Sequence, residues 1–391
     1  MRSLSWSLYL ACSWTWCIGM WLPSLLVRDG GPNAFLAFFI PNVIGAASVG
    51  WLLAGRAQAF YDSKRPIILA FTAVTIAFHA YWLLHRMAFP LYDLLPDIIL
   101  GAVAGSSLVL NAIALTKKPR GLAAAVTLLI SIAAAVGLAA NPGSPPNAIL
   151  PPADLAGLAA VCILGFGLCP YLDLTFNKAA IESKRPRLVF TLGFVVFGLI
   201  LLIVTRGRTL WEGVNPLDTL NINVYVLSML IGGHFGAQAT FTCAAHIEAL
   251  KTTTKRRIMS AEGLQLTLFP VLAALAVAAA ILAIPVSSLF GMATQEIGYR
   301  TFLAAYGLVF PAWLLLTLGG RPAADSRTLI ALAIAVALCL PFLAYGFISL
   351  EYAWVLPGLA LLAIAVPVLR KTLVLEPIEH NARRLANEPA L

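Results

Sequence analysis

Residues 164–173 read Leu164-Gly165-Phe166-Gly167-Leu168-Cys169-Pro170-Tyr171-Leu172-Asp173. They lie inside an apolar stretch, 154–177, long enough at 1.5 Å per helical residue to cross a bilayer core of about 30 Å. A segment that only crosses lipid is a monotonous helix. This one carries glycines, which weaken a helix, and a proline, which removes a backbone donor and clashes with the preceding turn. In lipid each freed amide or carbonyl costs roughly several kcal/mol unless protein or a water-filled cavity satisfies it. The stretch therefore predicts a broken helix that either lines an internal site or is healed by a neighbouring helix.

Two further stretches share this character. One is Cys17-Ile18-Gly19-Met20-Trp21-Leu22-Pro23; the other is Gly232-Gly233-His234-Phe235-Gly236-Ala237-Gln238. Gly19 to Pro23 in the first apolar span resembles Gly167 to Pro170 in the sixth. Five spans separate the two, and an odd number of helices per repeat inverts the second copy in the membrane. Paired interrupted helices in corresponding places of two halves point to a transporter built from inverted repeats.

The composition agrees. Of 391 residues, 60% are hydrophobic and 11% charged, against about 25% charged in a soluble domain. The mean hydropathy is +0.89. A water-soluble globular protein is excluded, and the expectation is an all-α polytopic membrane protein. About twelve spans are legible, near 6–27, 34–55, 66–88, 95–116, 120–140, 154–177, 187–205, 220–249, 263–289, 300–319, 327–347 and 352–369. The first is too long for a signal peptide and has no Ala-x-Ala-like cleavage site.

Lys and Arg alternate between the loops. With the N-terminus inside, 21 of the 26 fall on the cytoplasmic side; only Arg28, Arg86, Arg206, Arg208 and Arg300 fall outside. That bias sets orientation, N-in and C-in, and it explains the net charge of +9 without nucleic acid, since these charges face an anionic leaflet. The longest outer connector, Asn141 to Asp154, holds five prolines and is stiff and non-helical. The expected organisation is a first five-helix repeat over 1–140, the connector at 141–153, a second repeat over 154–319, two more helices over 320–371 and a cytoplasmic tail over 372–391. The expected location is the cell (inner) membrane, as a multi-pass protein with lipid and a small solute as partners. Nothing in the chain speaks to its oligomeric state.

Of the seventeen acidic residues, sixteen sit in loops or near span ends, and Asp173 is the exception. A charge at mid-helix costs about 2.5–3.5 kcal/mol and usually faces a cavity. Asp173 either binds a substrate cation, a coupling ion or a proton, or pairs with Lys178 toward the cytoplasmic surface. His234, with Gln238 one turn on, is a candidate proton relay or an interhelical hydrogen-bonding residue. His246 with Glu248, and His79, are weaker candidates of the same kind. Backbone groups at Gly19–Pro23 and Gly165–Pro170 carry more weight, because opposed half-helix ends offer dipoles of both signs. Phe166, Trp21, Tyr171 and Phe235 are candidate walls. Trp14, Trp16, Trp51, Trp82 and Trp211 read as an interfacial belt. The six cysteines all lie in apolar segments without a Cys-x-x-Cys pattern and read as small core residues.

Leu22-Pro23, then Arg28-Asp29-Gly30-Gly31, Ala34-Phe35 and Phe39-Ile40-Pro41, resembles the helix 1–helix 2 signature of the neurotransmitter:sodium symporters, and Gly165-Phe166-Gly167 resembles the Gly-Phe-Gly of their unwound helix 6. Gly30-Gly31-Pro32-Asn33-Ala34 and Lys184-Arg185-Pro186-Arg187 look like the wider amino acid–polyamine–organocation superfamily. The resemblance covers about 75 residues in two blocks. It implies a LeuT-like fold, five plus five inverted repeats and two extra helices, moving an amino acid or amine-like solute. The family's outer-gate Arg is replaced by Trp21. The asparagine that helps hold one sodium has no clear counterpart. The Thr/Ser pair of the second sodium site would fall near Phe235 to Ala237, with Thr240 and Thr242 a turn later.

The expected function is a secondary active transporter working by alternating access. Its expected substrate site is Gly19, Met20, Trp21, Pro23, Gly165, Phe166, Gly167, Cys169, Tyr171 and Asp173. The coupling-ion candidates are Ile18, Asp173, His234, Gln238 and Thr240, the ion being H+ or Na+, with no cofactor and no metal. Two alternatives stand beside it: a twelve-helix transporter of the major facilitator type, suggested faintly by Gly55-Arg56, Asp62 and Lys64-Arg65, and a non-transporting sensor or assembly subunit. No His-x-x-x-His pair, Gly-x-Ser-x-Gly elbow or P-loop occurs, so no enzyme is expected.

Overall fold

The computed structural model describes residues 2–15, 17–88, 120–139, 148–211, 222–253, 294–319 and 323–375. Among them the chain is helical, with no strand: α1 (Arg2–Trp14), α2 (Cys17–Leu52), α3 (Ala57–Ala88), α4 (Arg120–Ala139), α5 (Pro152–Leu168), a 3-10 turn (Cys169–Leu172), α6 (Leu174–Glu182), α7 (Pro186–Trp211), α8 (Ile222–Thr253), α9 (Thr294–Leu316), α10 (Ser326–Ser349), a second 3-10 turn (Tyr352–Trp354), α11 (Val355–Leu369) and a closing π turn (Arg370–Leu375). Six stretches of the described residues are long and apolar enough to cross a membrane: Trp21–Leu52, Pro152–Leu172, Pro186–Ile203, Glu296–Leu316, Ser326–Ser349 and Tyr352–Leu373, with a shorter apolar helix at Gly121–Gly137. These fit a membrane-embedded protein. The expected spans 95–116 and 263–289, most of the connector 141–153 and nearly all of the tail 372–391 lie outside the described residues.

The helix α2 is not straight. Gly31 has φ 68°, ψ −163°, a backbone state open to glycine at little cost. A Cβ there would also collide with the Ala148 carbonyl. A straight helix would carry Asn42 about 40 Å from the end of α1, yet Trp14 Nε1 donates to Asn42 Oδ1 at 2.6 Å. The chain therefore doubles back at Gly31, which separates the two spans expected at 6–27 and 34–55.

The bundle is held by close backbone approach as well as by aromatic packing. Lipid tails are as apolar as leucine, so helices associate through van der Waals fit at small residues. Gly45 of α2 lies so near the Phe166 carbonyl of α5, and Gly157 of α5 so near the Tyr352 carbonyl, that a Cβ at either would overlap the neighbouring backbone. α2 packs against α5 and α7, α4 against α7 and α8, and α9 against α10 and α5. In the interior, Phe176 lies between Trp14 (ring centroids 4.9 Å), Phe190 (5.5 Å) and Phe194 (5.3 Å).

Candidate functional site

The stretch quoted first is broken. α5 ends at Leu168, Cys169–Leu172 forms a 3-10 turn, and Asp173 is extended (φ −71°, ψ 121°) before α6 begins. Pro170 cannot continue the α-helical ladder, and Asp173 restarts it as the N-cap of α6: Oδ1 accepts from Thr175 N at 2.7 Å and Phe176 N at 3.3 Å. Asn177 Nδ2 donates at 2.8 Å to the carbonyls of both Tyr171 and Asp173; the first of these is backbone that the break frees, while the second also takes Asn177 N at 3.0 Å.

The first span is broken too, but earlier than Gly19–Pro23. Those residues are helical within α2, and the interruption falls at Thr15, where α1 ends. Thr15 Oγ1 donates to the Ala11 carbonyl at 2.8 Å and Ser13 Oγ to the Leu10 carbonyl at 3.3 Å, back-bonds onto the last turn of α1. Of the carbonyls that the break itself frees, that of Cys12 takes Thr15 N at 3.3 Å. Pro23 costs α2 one bond near its start and does not break it.

Both breaks border one cavity of about 50 Å³. Trp14, Gly19 and Leu22 line it from the first span, Asn42 from the returning arm of α2, Gly165, Phe166 and Cys169 from α5 and its turn, Leu303, Tyr306 and Gly307 from α9, and Phe347 from α10. The space suits a few waters. Its wall is mostly apolar, with the Trp14–Asn42 pair and Tyr306 as polar groups. The C-termini of α1 and α5 and the N-termini of α2 and α6 add dipoles of both signs near it. The breaks also touch each other, because Thr175 Oγ1 lies 2.6 Å from Asp173 Oδ1 and 3.1 Å from Ser13 Oγ.

Charged clusters close the bundle at two places. About two turns beyond Leu303, Glu296 takes Arg28 in a bidentate pair (2.6 and 3.1 Å) and Arg300 at 2.7 and 2.9 Å. Asp29 accepts from both Arg28, at 2.8 Å, and Arg300, which is 1% exposed and also donates to Tyr352 Oη at 3.0 Å. Trp21 packs on Tyr299, the neighbour of Arg300 in the chain, with ring centroids 4.6 Å apart. Elsewhere, Lys64 Nζ donates to the Thr317 carbonyl and Arg370 Nη2 to the Leu318 carbonyl at 2.6 Å, cations at the negative end of α9.

Of the residues expected at the site, Gly19, Gly165, Phe166 and Cys169 line the cavity. Gly167 and Tyr171 do not. They face a lateral groove between α2 and α5, where Tyr171 Oη and Ser48 Oγ are 2.7 Å apart. Helical rotation past Phe166 turns them outward. Trp21 and Pro23 are on α2 and do not line the cavity, and the side chains of Ile18 and Met20 lie outside the described residues. His234 and Gln238 point to α4, where both reach Ser131 Oγ, at 2.9 and 2.8 Å. Thr240 bonds its own helix at the Gly236 carbonyl, 2.6 Å away, whereas Thr242 reaches the carbonyls of Cys12 and Ser13 at the first break, each at 3.5 Å. Asp173 is fully buried one turn from the cavity and is not paired with Lys178, which binds Glu182 at 2.6 Å.

Sequence reading missed Trp14, Asn42, Tyr306 and Phe347 as lining residues. Trp14, read as a belt residue, is 5% exposed; the signal for its role was Asn42, a lone amide in an apolar span that needs a donor. Neither a known family model nor a curated protein sequence matches this chain.

Proposed function

We propose that the protein is a secondary active transporter that moves a small organic solute, amino acid or amine-like, across the cell (inner) membrane by alternating access. The observation that carries this reading is the meeting of two interrupted helices at one interior cavity, joined through Ser13, Thr175 and Asp173. Broken backbone at membrane depth is tolerated where it is buried in protein or lines a cavity, and solute sites between two repeats are built this way.

The reading includes a LeuT-like fold of about twelve spans, five plus five and two, with both termini inside. The charges support that orientation. Arg28 and Arg300, both assigned outside by loop bias, share one cluster with Asp29 and Glu296. Lys64 and Arg370, both assigned inside, meet at the opposite end of α9. The Arg28 cluster then serves as the outer closure in place of a single gate arginine, with Trp21 and Tyr299 beside it.

A thermal-stability screen of the purified full chain over amino acids, amines and nucleobases tests the site, and flux into proteoliposomes tests the activity. Stabilisation by a solute that is weakened in Asn42→Leu and Phe166→Ala supports the reading. No stabilisation by any of these classes, with no flux, removes it.

A further inference from the structure

Asp173 and His246 are both fully buried, and Asp173 Oδ2 lies 3.5 Å from His246 Nε2. The two oxygens of Asp173 differ. Oδ1 carries the whole N-cap, taking Thr175 N, Thr175 Oγ1 and Phe176 N. Oδ2 has no hydrogen-bond donor among the described residues, and neither ring nitrogen of His246 has a hydrogen-bond partner there. A buried carboxylate oxygen is normally paired, since leaving it bare costs far more than a lost hydrogen bond. A proton held between Oδ2 and Nε2 pairs these two atoms with each other and leaves the cap on Oδ1 intact. Helix α6 therefore tolerates either protonation state.

Resting on the transport reading above, we propose that Asp173 and His246 form a proton-binding site, and that the proton they take up and release is the coupling ion. Loaded, the pair is a carboxylic acid beside a neutral imidazole, the uncharged form that an apolar interior favours over a buried ion pair. Emptied, it is a carboxylate beside a neutral imidazole, with net charge −1. A net charge sealed in an apolar interior is costly. The sealed surroundings of the pair thus favour its loaded form, and release requires water to reach the site. Thr175 and Ser13 connect the same carboxyl to the first break, so a change of charge at Asp173 acts on both interrupted helices.

Among the described residues, these groups face the pair. From α3, His79 lies within electrostatic reach of both residues, its Nδ1 2.7 Å from the Thr75 carbonyl. From α9, Tyr306 lies within reach of Asp173. From α1, Tyr9 Oη approaches the Ala245 carbonyl beside His246 at 3.5 Å. α6 itself brings Lys178, which is bound to Glu182. α7 presents Phe190 and Phe194 toward this region.

The test uses the full chain in liposomes. Infrared difference spectra recorded as the pH is stepped are expected to show one protonated-carboxyl band. It should be lost in Asp173→Asn, which keeps the N-cap, and its midpoint should move in His246→Gln, or in His246→Asn if that variant does not fold. A purely structural Asp173 shows no such band. Uptake of a radiolabelled mixture of the standard amino acids is expected to follow a pH gradient, and Asp173→Asn should lose accumulation while keeping exchange. The proposal is overturned by a missing band, by a band unaffected by Asp173→Asn, or by uptake driven by a sodium gradient alone. If no solute enters under either gradient, the transport reading falls and the coupling role with it, and the infrared band alone then decides the proton site.

Discussion

The Trp14 indole donates to Asn42 Oδ1 at 2.6 Å, and this bond ties the end of α1 to the returning arm of α2 across the mouth of the first break. Both groups are buried. Trp14→Phe keeps an aromatic ring against Phe176 but leaves Asn42 without its donor. The expected loss is about 1–3 kcal/mol, the cost of an unsatisfied buried acceptor. A thermal melt of the purified variant measures it. Trp14→Phe/Asn42→Leu should recover part of the loss, and a double variant no more stable than Trp14→Phe contradicts the assignment.

Glycines at Gly45 and Gly167 make opposite predictions. A Cβ at Gly45 would overlap the Phe166 carbonyl, whereas one at Gly167 meets nothing within 4 Å. Gly45→Ala should destabilise by about 1–3 kcal/mol, as overpacking does. Gly167→Ala, within α5, should be neutral or stabilising by roughly 0.5–1 kcal/mol. Paired melting temperatures check this, and equal effects would speak against the close α2–α5 crossing.

The cluster of Arg28, Asp29, Glu296 and Arg300 holds two cations and two anions. Arg300→Met leaves three charges of net −1 where Arg300 was buried, and breaking such a pair costs about 3–5 kcal/mol. Asp29→Asn/Arg300→Met restores neutrality by leaving Arg28 with Glu296. The double variant should therefore be more stable than Arg300→Met alone, by a margin that a double-mutant cycle reads directly.

Asp173 has a structural role that can be separated from its proposed proton. Asp173→Ala removes the cap from α6 and should cost about 0.5–2 kcal/mol, while Asp173→Asn, also a good cap, should cost less. Thermal melts of the two variants make the comparison. If both lose the same stability, the cap is not what holds the start of α6.

The helical class was legible because hydrophobic runs of bilayer length leave little else for a backbone in lipid to do. The break near Pro170 was legible for the same reason, since a proline cannot continue the ladder wherever it is placed. The break in the first span was misplaced by about one turn. Pro23 near the start of a helix is cheap, and α1 ends at Trp14 instead, where Thr242 of α8 reaches the freed carbonyls of Cys12 and Ser13. Thr242 is an ordinary residue in sequence, visible as a partner of that helix end only once the fold brings α8 against it.

Side-chain direction was the larger loss. Phe166 and Gly167 are neighbours in the chain, yet one lines the cavity and the other an open groove. Likewise, Asp173 stood out as a lone charge, but its partner did not. Lys178 was nearer in sequence, and His246 is far along the chain. Composition and local chemistry state that a segment is a helix, where it must fail, and that a buried charge needs a counterpart. Which groups answer that need depends on how helices remote in sequence rotate and cross, and that is settled by close packing among all of them at once.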